Sequence, residues 1–328
     1  MSSLSQFIAS TSPKAITAAG PGSNGYWRRE MWLRAGSFSF TVKKSGKMKI
    51  YAGGAAGGGG YQYPGASAGM ACDERDYVQG DVITITIGAG GVGANQATNG
   101  GDGGTTSVVC AARGLNLVLT GATGGRNGGS GMTAGAATGG NQFNRSGAVP
   151  PAGSAAGYGG CSSASPFANG FASAQTGGAG WGGPARASGG ASSHRSSVGS
   201  EGAPGLLSKG GIPWSTSATY PRGDSGESQP WWDLVDFDGA GGATWSNANG
   251  PTGNGGVGAG GAANSTSSGQ IVGGQGGLGG GGGAGAGGSG GAGGNGGNGA
   301  SGGGSVISGL GGAGGDGLCI IYWDEVQL

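Results

Sequence analysis

A single histidine, His194, is all the imidazole this chain has, and its four cysteines, Cys72, Cys110, Cys161 and Cys319, form no CxxC or CxxH pair. That spacing removes the usual zinc ligand sets. Charge is scarce as well. Asp, Glu, Lys and Arg make up 9% of the residues and the net charge is +1, which excludes the basic footprint of a nucleic-acid-binding protein. Arg28, Arg29, Lys43, Lys44, Lys47 and Lys49 make the N-terminal part mildly basic and no more. No run is apolar enough to span a bilayer, so no membrane insertion is expected. Residues 1–20 lack a basic region followed by an apolar stretch. The expectation is therefore a product without a signal peptide, made in a cytoplasm, with free buried thiols.

What is present is glycine, at 91 of 328 positions. Such a composition suggests low complexity or disorder. The low charge and the eight Trp, eight Tyr and seven Phe point instead to a folded chain. Collagen is excluded because no Gly-X-Y frame holds. Glycine offers no side chain to bury and loses the most backbone entropy on folding. A folded state must therefore draw on many backbone hydrogen bonds, each contributing about 1 kcal/mol net.

Between Gly273 and Gly317 the non-glycine positions recur every third residue. They run Gln275, Leu278 and Ala284, then Ala286, Ser289, Ala292, Asn295, Asn298 and Ser301. A period of three fits neither helix nor strand, but it fits a polyproline-II-type helix. With no internal hydrogen bonds, such helices must bond to one another. The predicted fold is mostly β plus polyglycine-II: a terminal β-strand module, a packed polyglycine-II helix sandwich and long loops.

Four parts are predicted along the chain. Residues 1–36 read as a leader, whose Tyr26, Trp27 and Trp32 either anchor it to a partner or pack on the chain's own first strands. Residues 37–120 read as a β module with glycine-rich turns. There Phe38, Phe40 and Val42 alternate with Ser37, Ser39 and Thr41, a turn follows at Ser45-Gly46, and Met48 and Ile50 return, which predicts a hairpin. Further strands are expected in 82–87, 105–110 and 115–119. Residues 121–317 read as glycine scaffold with variable loops at 141–171 and 184–249. Residues 318–328 begin with Leu-Cys-Ile-Ile-Tyr-Trp, a strand expected to pair with the β module.

Catalytic signals are weak. His194 sits among serines with no acid or oxyanion donor in view, so a surface loop is the better reading. Asp233, Asp236 and Asp238 offer oxygens for a hard cation, but without the spacing of a calcium loop. Paired carboxylates can also cleave glycosides, yet no groove-building pattern accompanies them. Arg222-Gly223-Asp224 reads as a turn, and no phosphate-loop motif occurs. No enzyme, metal or cofactor is expected. Trp231 and Trp232 are harder to set aside. With Trp214, Tyr220, Phe237 and Trp245 they either stack on sugar rings and fill a partner's pocket, or pack down on the scaffold.

The stretches FSFTVKKSGKMKIYAGGAAGGGG (residues 38–60), GDVITITIGAGGVG (80–93), GGDGGTTSV (100–108) and GGAGGDGLCIIYW (311–323) resemble the glycine-rich tail fibres and tail-tip adhesins of tailed bacteriophages. The resemblance covers both chain ends and the glycine segments between them. It implies a virion (tail) protein that recognises a bacterial surface glycan or outer-membrane protein. The loops would carry the receptor contacts, Trp214, Tyr220, Trp231, Trp232, Phe237 and Trp245. Tyr26, Trp27 and Trp32 would contact other virion tail proteins, although residues 1–36 carry no recognisable attachment module. Homotrimeric fibre and monomeric tip both stay open. So do two other classes: a purely structural virion protein (stalk, collar or head decoration), and an ice-binding or extracellular matrix protein.

Overall fold

Alternating apolar residues become strands wherever the chain can turn one face inward. The computed structural model describes residues 18–19, 28–60, 63–94, 98–126, 130–150, 160–166, 168–170, 172, 192–193, 228–229, 238–239, 263–264, 275, 282 and 311–323. Among these the protein is mostly β, with no α-helix and one short 3-10 turn at Ala111–Arg113.

Two antiparallel sheets carry the structure. The first joins β1 (Ala18–Ala19), β2 (Arg28–Trp32), β15 (Leu318–Trp323), β4 (Gly46–Gly53), β5 (Met70–Tyr77) and β10 (Phe143–Arg145), in that spatial order. The second runs β3 (Gly36–Thr41), β6 (Val82–Ile87), β7 (Thr106–Cys110), β8 (Leu115–Leu119) and β9 (Ala137–Thr138). Two-residue ladders pair β11 (Ser192–Ser193) with β14 (Ala263–Asn264), and β12 (Ser228–Gln229) with β13 (Asp238–Gly239).

The sheets share one core. Met48, Ile50, Ala52, Cys319 and Ile321 from the first face Phe40, Ile83, Ile85, Val108, Leu117 and Leu119 from the second. Each fully buried aliphatic side chain stabilises by about 1.5–3 kcal/mol. Trp32 stands edge-on to Phe40, with ring centroids 6.1 Å apart, and Phe40 meets Trp323 at 5.2 Å. β15 reads as continuous apolar sequence because it is covered on both faces. Leu318, Ile320 and Tyr322 point away from the core into a second cluster with Tyr51, Met70 and Cys72.

The strand at 46–53 does not form the hairpin expected from its alternation. β3 pairs with β6, whereas β4 lies between β15 and β5 in the other sheet. Phe40, Met48 and Ile50 all reach the same core, but from opposite layers. Alternation fixes which face is buried, and it is silent on the pairing partner. Residues 28–32, expected inside a leader, form a strand of the first sheet paired with β15. Residues 141–150, expected as loop, hold β10 on the edge of β5. Asn141 also caps that edge: its amide accepts from Glu74 N–H and donates to Glu74 C=O, both at 2.9 Å.

Candidate functional site

The strands run on into glycine segments at one end of the sandwich. In the first sheet Gly53, Met70, Leu318 and Arg145 stand in one register row. In the second, Thr106, Leu119 and Ala137 do the same. Beyond those rows lie segments 54–60, 63–69, 88–94, 100–104, 120–125, 133–136, 146–148 and 311–317. They contain no helix and no strand.

Their hydrogen bonds run sideways with a period of three. N–H groups of residues 54, 57 and 60 donate to carbonyls 69, 66 and 63. Those of 56 and 59 donate to 315 and 312, and that of 58 donates to 101. In return the carbonyls of 56 and 59 accept from 91 and 94, and those of 55 and 58 accept from 122 and 125. Segment 54–60 is thus bonded to five neighbours and is buried throughout. The outer segments repeat the pattern: 317, 314 and 311 donate to 88, 91 and 94, while 101 and 104 donate to 92 and 89. Farther out, Gly160 donates to Gly282 at 2.6 Å. Stretches expected as glycine-rich turns therefore bond mostly to neighbouring segments distant in sequence and seldom to themselves.

Glycine is required by close approach at such positions. A Cβ at Gly57 would collide with the Thr123 carbonyl, and one at Gly58 with the Val92 carbonyl. At the rim, side chains complete the bonding. The Asp316 carboxylate accepts from Gly90 N–H at 2.8 Å and from Ala35 N–H at 3.0 Å. Asp102 accepts from Gly124 N–H at 2.8 Å and from Arg126 at 2.7 Å.

The opposite end of the sandwich holds the turns at 42–45, 78–81 and 111–114. It also holds the first residue of β2 and the last of β15, since Arg28 pairs with Trp323. Charges gather on this side. Arg113 binds Asp81, Nε to Oδ2 at 2.6 Å, and holds its carboxyl below the usual range. Asp73 is wholly buried and gripped by Arg75 through Nε at 2.6 Å. Arg75 also donates to the Arg113 carbonyl at 2.7 Å, and its guanidinium is raised further by the bond to Asp73. Burial pushes the Cys72 thiol up to about 12, and raises the Cys319 thiol and the Tyr77 phenol as well. All four cysteines are buried, and none is paired in a disulfide.

Of the candidate contact residues, Trp32 lies in the core at 8% exposure, so its ring belongs to the chain's own strands and not to a partner. Tyr26, Trp27, Trp214, Tyr220, Trp231, Trp232, Phe237 and Trp245 lie outside the described residues. So do His194, Arg222, Asp224, Asp233 and Asp236, while Asp238 begins the short strand β13. Among the described residues no group of three His, Cys, Asp or Glu side chains could hold a metal ion. No helix there is long and apolar enough to cross a membrane. Sequence reasoning missed the Asp73–Arg75 pair; the one signal was a polar strand, Met70–Tyr77, flanked by glycine. Compared with known proteins, the chain matches no protein-family model, and no curated protein is recognisably similar to it.

Proposed function

We propose that this chain is a virion tail fibre or tail-tip adhesin that carries receptor-recognising loops on a rigid glycine-rich scaffold. In this reading the glycine segments are polyglycine-II helices, packed side by side in place of an oily interior. The lateral bonds at every third residue support it, because three residues per turn aim successive N–H groups at three different neighbours. Seven residues at about 3.1 Å each would give a slab about 20 Å deep.

One observation carries the functional reading: the layout has two ends. Gly60, Tyr63, Ala94, Gly100, Gly125 and Gly311, the ends of the array segments away from their strands, lie together on the face remote from the sandwich. β2 begins and β15 finishes at the other end. A protein that is held at its base and presents loops at its tip needs that polarity. The connection between 166 and 310 contains Trp214, Tyr220, Trp231, Trp232, Phe237 and Trp245. Aromatic rings there would stack on a bacterial surface glycan or fill a pocket of an outer-membrane protein. The base would engage other virion tail proteins, with Tyr26 and Trp27 as the remaining attachment candidates.

Binding of the purified, labelled chain to intact bacterial cells tests the reading. Saturable binding that falls when Trp231 and Trp232 are both changed to Ala, with the melting temperature unchanged, is the expected result. No binding to any host, with antibody labelling along a stalk or on a head, would reassign the chain to a purely structural virion role.

A further inference from the structure

We propose that residues 311–323 are a closing strap: they fill a two-sided slot that stays open until they arrive, and β2 is held in its sheet only after they have entered. The proposal rests on strand and array connectivity and does not depend on the adhesin reading.

Apart from this run, the two sheets and the array segments that continue them all lie within residues 18–148. The second sheet is assembled locally: β6, β7, β8 and β9 pair as successive neighbours, and β3 joins at β6. In the first, β4 and β5 pair along their whole length, from Gly46↔Tyr77 to Gly53↔Met70.

Residues 311–323 are bonded on both sides by residues far earlier in the chain. β15 lies between β2 and β4, antiparallel to both. Ahead of it, N–H groups of 311, 314 and 317 donate to carbonyls 94, 91 and 88, while carbonyls 312 and 315 accept from 59 and 56. The Asp316 carboxylate ties Ala35 to Gly90. Cys319 and Ile321 enter the shared core, and Leu318 and Ile320 enter the second cluster. Without this run the first sheet parts in two, with β1 and β2 on one side and β4, β5 and β10 on the other. β4 would keep β5 as a ladder partner, whereas β2 would keep β1, across two residues. Trp32 would still meet Phe40 of the second sheet, but one ring contact does not fix the register of a strand.

Timing follows from chain order. Hairpins close in about 1–10 μs, and a growing chain lengthens by about 5–20 residues per second. Residues 311–323 therefore meet a second sheet and a β4–β5 pair that have had on the order of ten seconds to form. The slot is selective. Its array half demands glycine at 311 and 314, where a Cβ would strike the carbonyls of Gly59 and Ala56. Its strand half takes alternate side chains into two apolar clusters. An ordinary strand sequence satisfies one half; the glycine-to-apolar sequence of 311–323 satisfies both.

The test uses the full chain. Native-state hydrogen exchange at graded urea should show the amides of β2 and β15 opening together, at lower urea than those of β6, β7 and β8. In Ile321→Asp the same two strands should exchange at least about a hundredfold faster, since an unpaired buried carboxylate disfavours the inserted state. β6, β7 and β8 should keep their protection. A synthetic peptide with the unaltered sequence of 311–323 should then bind this variant and restore protection at β2, while leaving the unaltered chain unbound. The same peptide carrying Gly314→Val should bind the variant at least about tenfold more weakly, because its side chain meets backbone. β2 amides that stay protected while β15 exchanges would overturn the proposal. So would all strands opening in one step, loss of the second sheet in Ile321→Asp, or equal binding of the two peptides.

Discussion

Changing Gly57 to Ala should be far more damaging than an added methyl group suggests. The new Cβ would sit on the Thr123 carbonyl and the Gly124 N–H. Those atoms are backbone, so relief requires segment 120–125 to move away. Three lateral bonds hold it nearby: Ala122 N–H to Ala55 C=O at 3.1 Å, Gly125 N–H to Gly58 C=O at 2.8 Å, and Ala66 N–H to Thr123 C=O at 2.8 Å. Each buried group left unsatisfied costs about 1–3 kcal/mol. Against this, Gly→Ala recovers about 0.4–1 kcal/mol by restricting the unfolded chain. The expected net loss is about 3–5 kcal/mol, or about 10 °C in melting temperature for a domain of this size. Two controls separate space from backbone angle. Gly46 has nothing within 4 Å of its would-be Cβ and is not in the left-handed region, so Gly46→Ala should be neutral or slightly stabilising. Gly80 has the same open space but φ +90°, so Gly80→Ala should cost about 1–2 kcal/mol. Thermal and urea melts of the three variants decide the matter. If Gly57→Ala costs no more than Gly80→Ala, close packing of backbone is not what stabilises the array.

Arg75→Ala should cost about 3–5 kcal/mol, because it strands the wholly buried Asp73 carboxylate without its partner. Replacing the pair together, Asp73→Leu with Arg75→Met, should recover most of that in urea denaturation, and a double variant as weak as the single would count against it. The four buried thiols should not react with a disulfide reagent at pH 8 until denaturant is added; a native thiol titrating at once would contradict the packing around Cys72, whose pKa of about 12 keeps it protonated there. The Asp81 carboxyl is held below its ordinary 3.8 by Arg113. Its stabilisation is therefore complete above that ordinary value and is lost as pH falls through the depressed one. Arg113→Ala should flatten the acid side of the stability–pH curve, and an unchanged curve would refute the assignment.

Much of the sandwich was legible in the sequence. Alternation exposes β3 and β6 through Phe38, Phe40, Ile83, Ile85 and Ile87, and the run Leu318–Trp323 announces a terminal strand. β5 was hidden because its inward positions include buried Asp73 and half-buried Arg75, which pair with each other and mimic a polar loop in one dimension. β2 was hidden because Arg-Arg-Glu-Met-Trp shows one apolar inward residue, Trp32. The glycine segments within 37–120 resembled turns, since glycine is what both a turn and a close approach demand. Only the partner carbonyls, hundreds of residues away in the case of 311–317, distinguish the two. The aromatic residues proposed for recognition remain a reading of the sequence.

The register rows also decide how the molecule carries load. A pull on any distal connection travels lengthwise through an array segment into a strand, and the ladder bonds lie across that direction. They are therefore loaded in shear, many at once, and cannot peel one by one. Forced opening is governed by the unfolding rate. A chain tugged at its tip while moored by β2 and β15 would resist in the stiffest way that its hydrogen bonds permit.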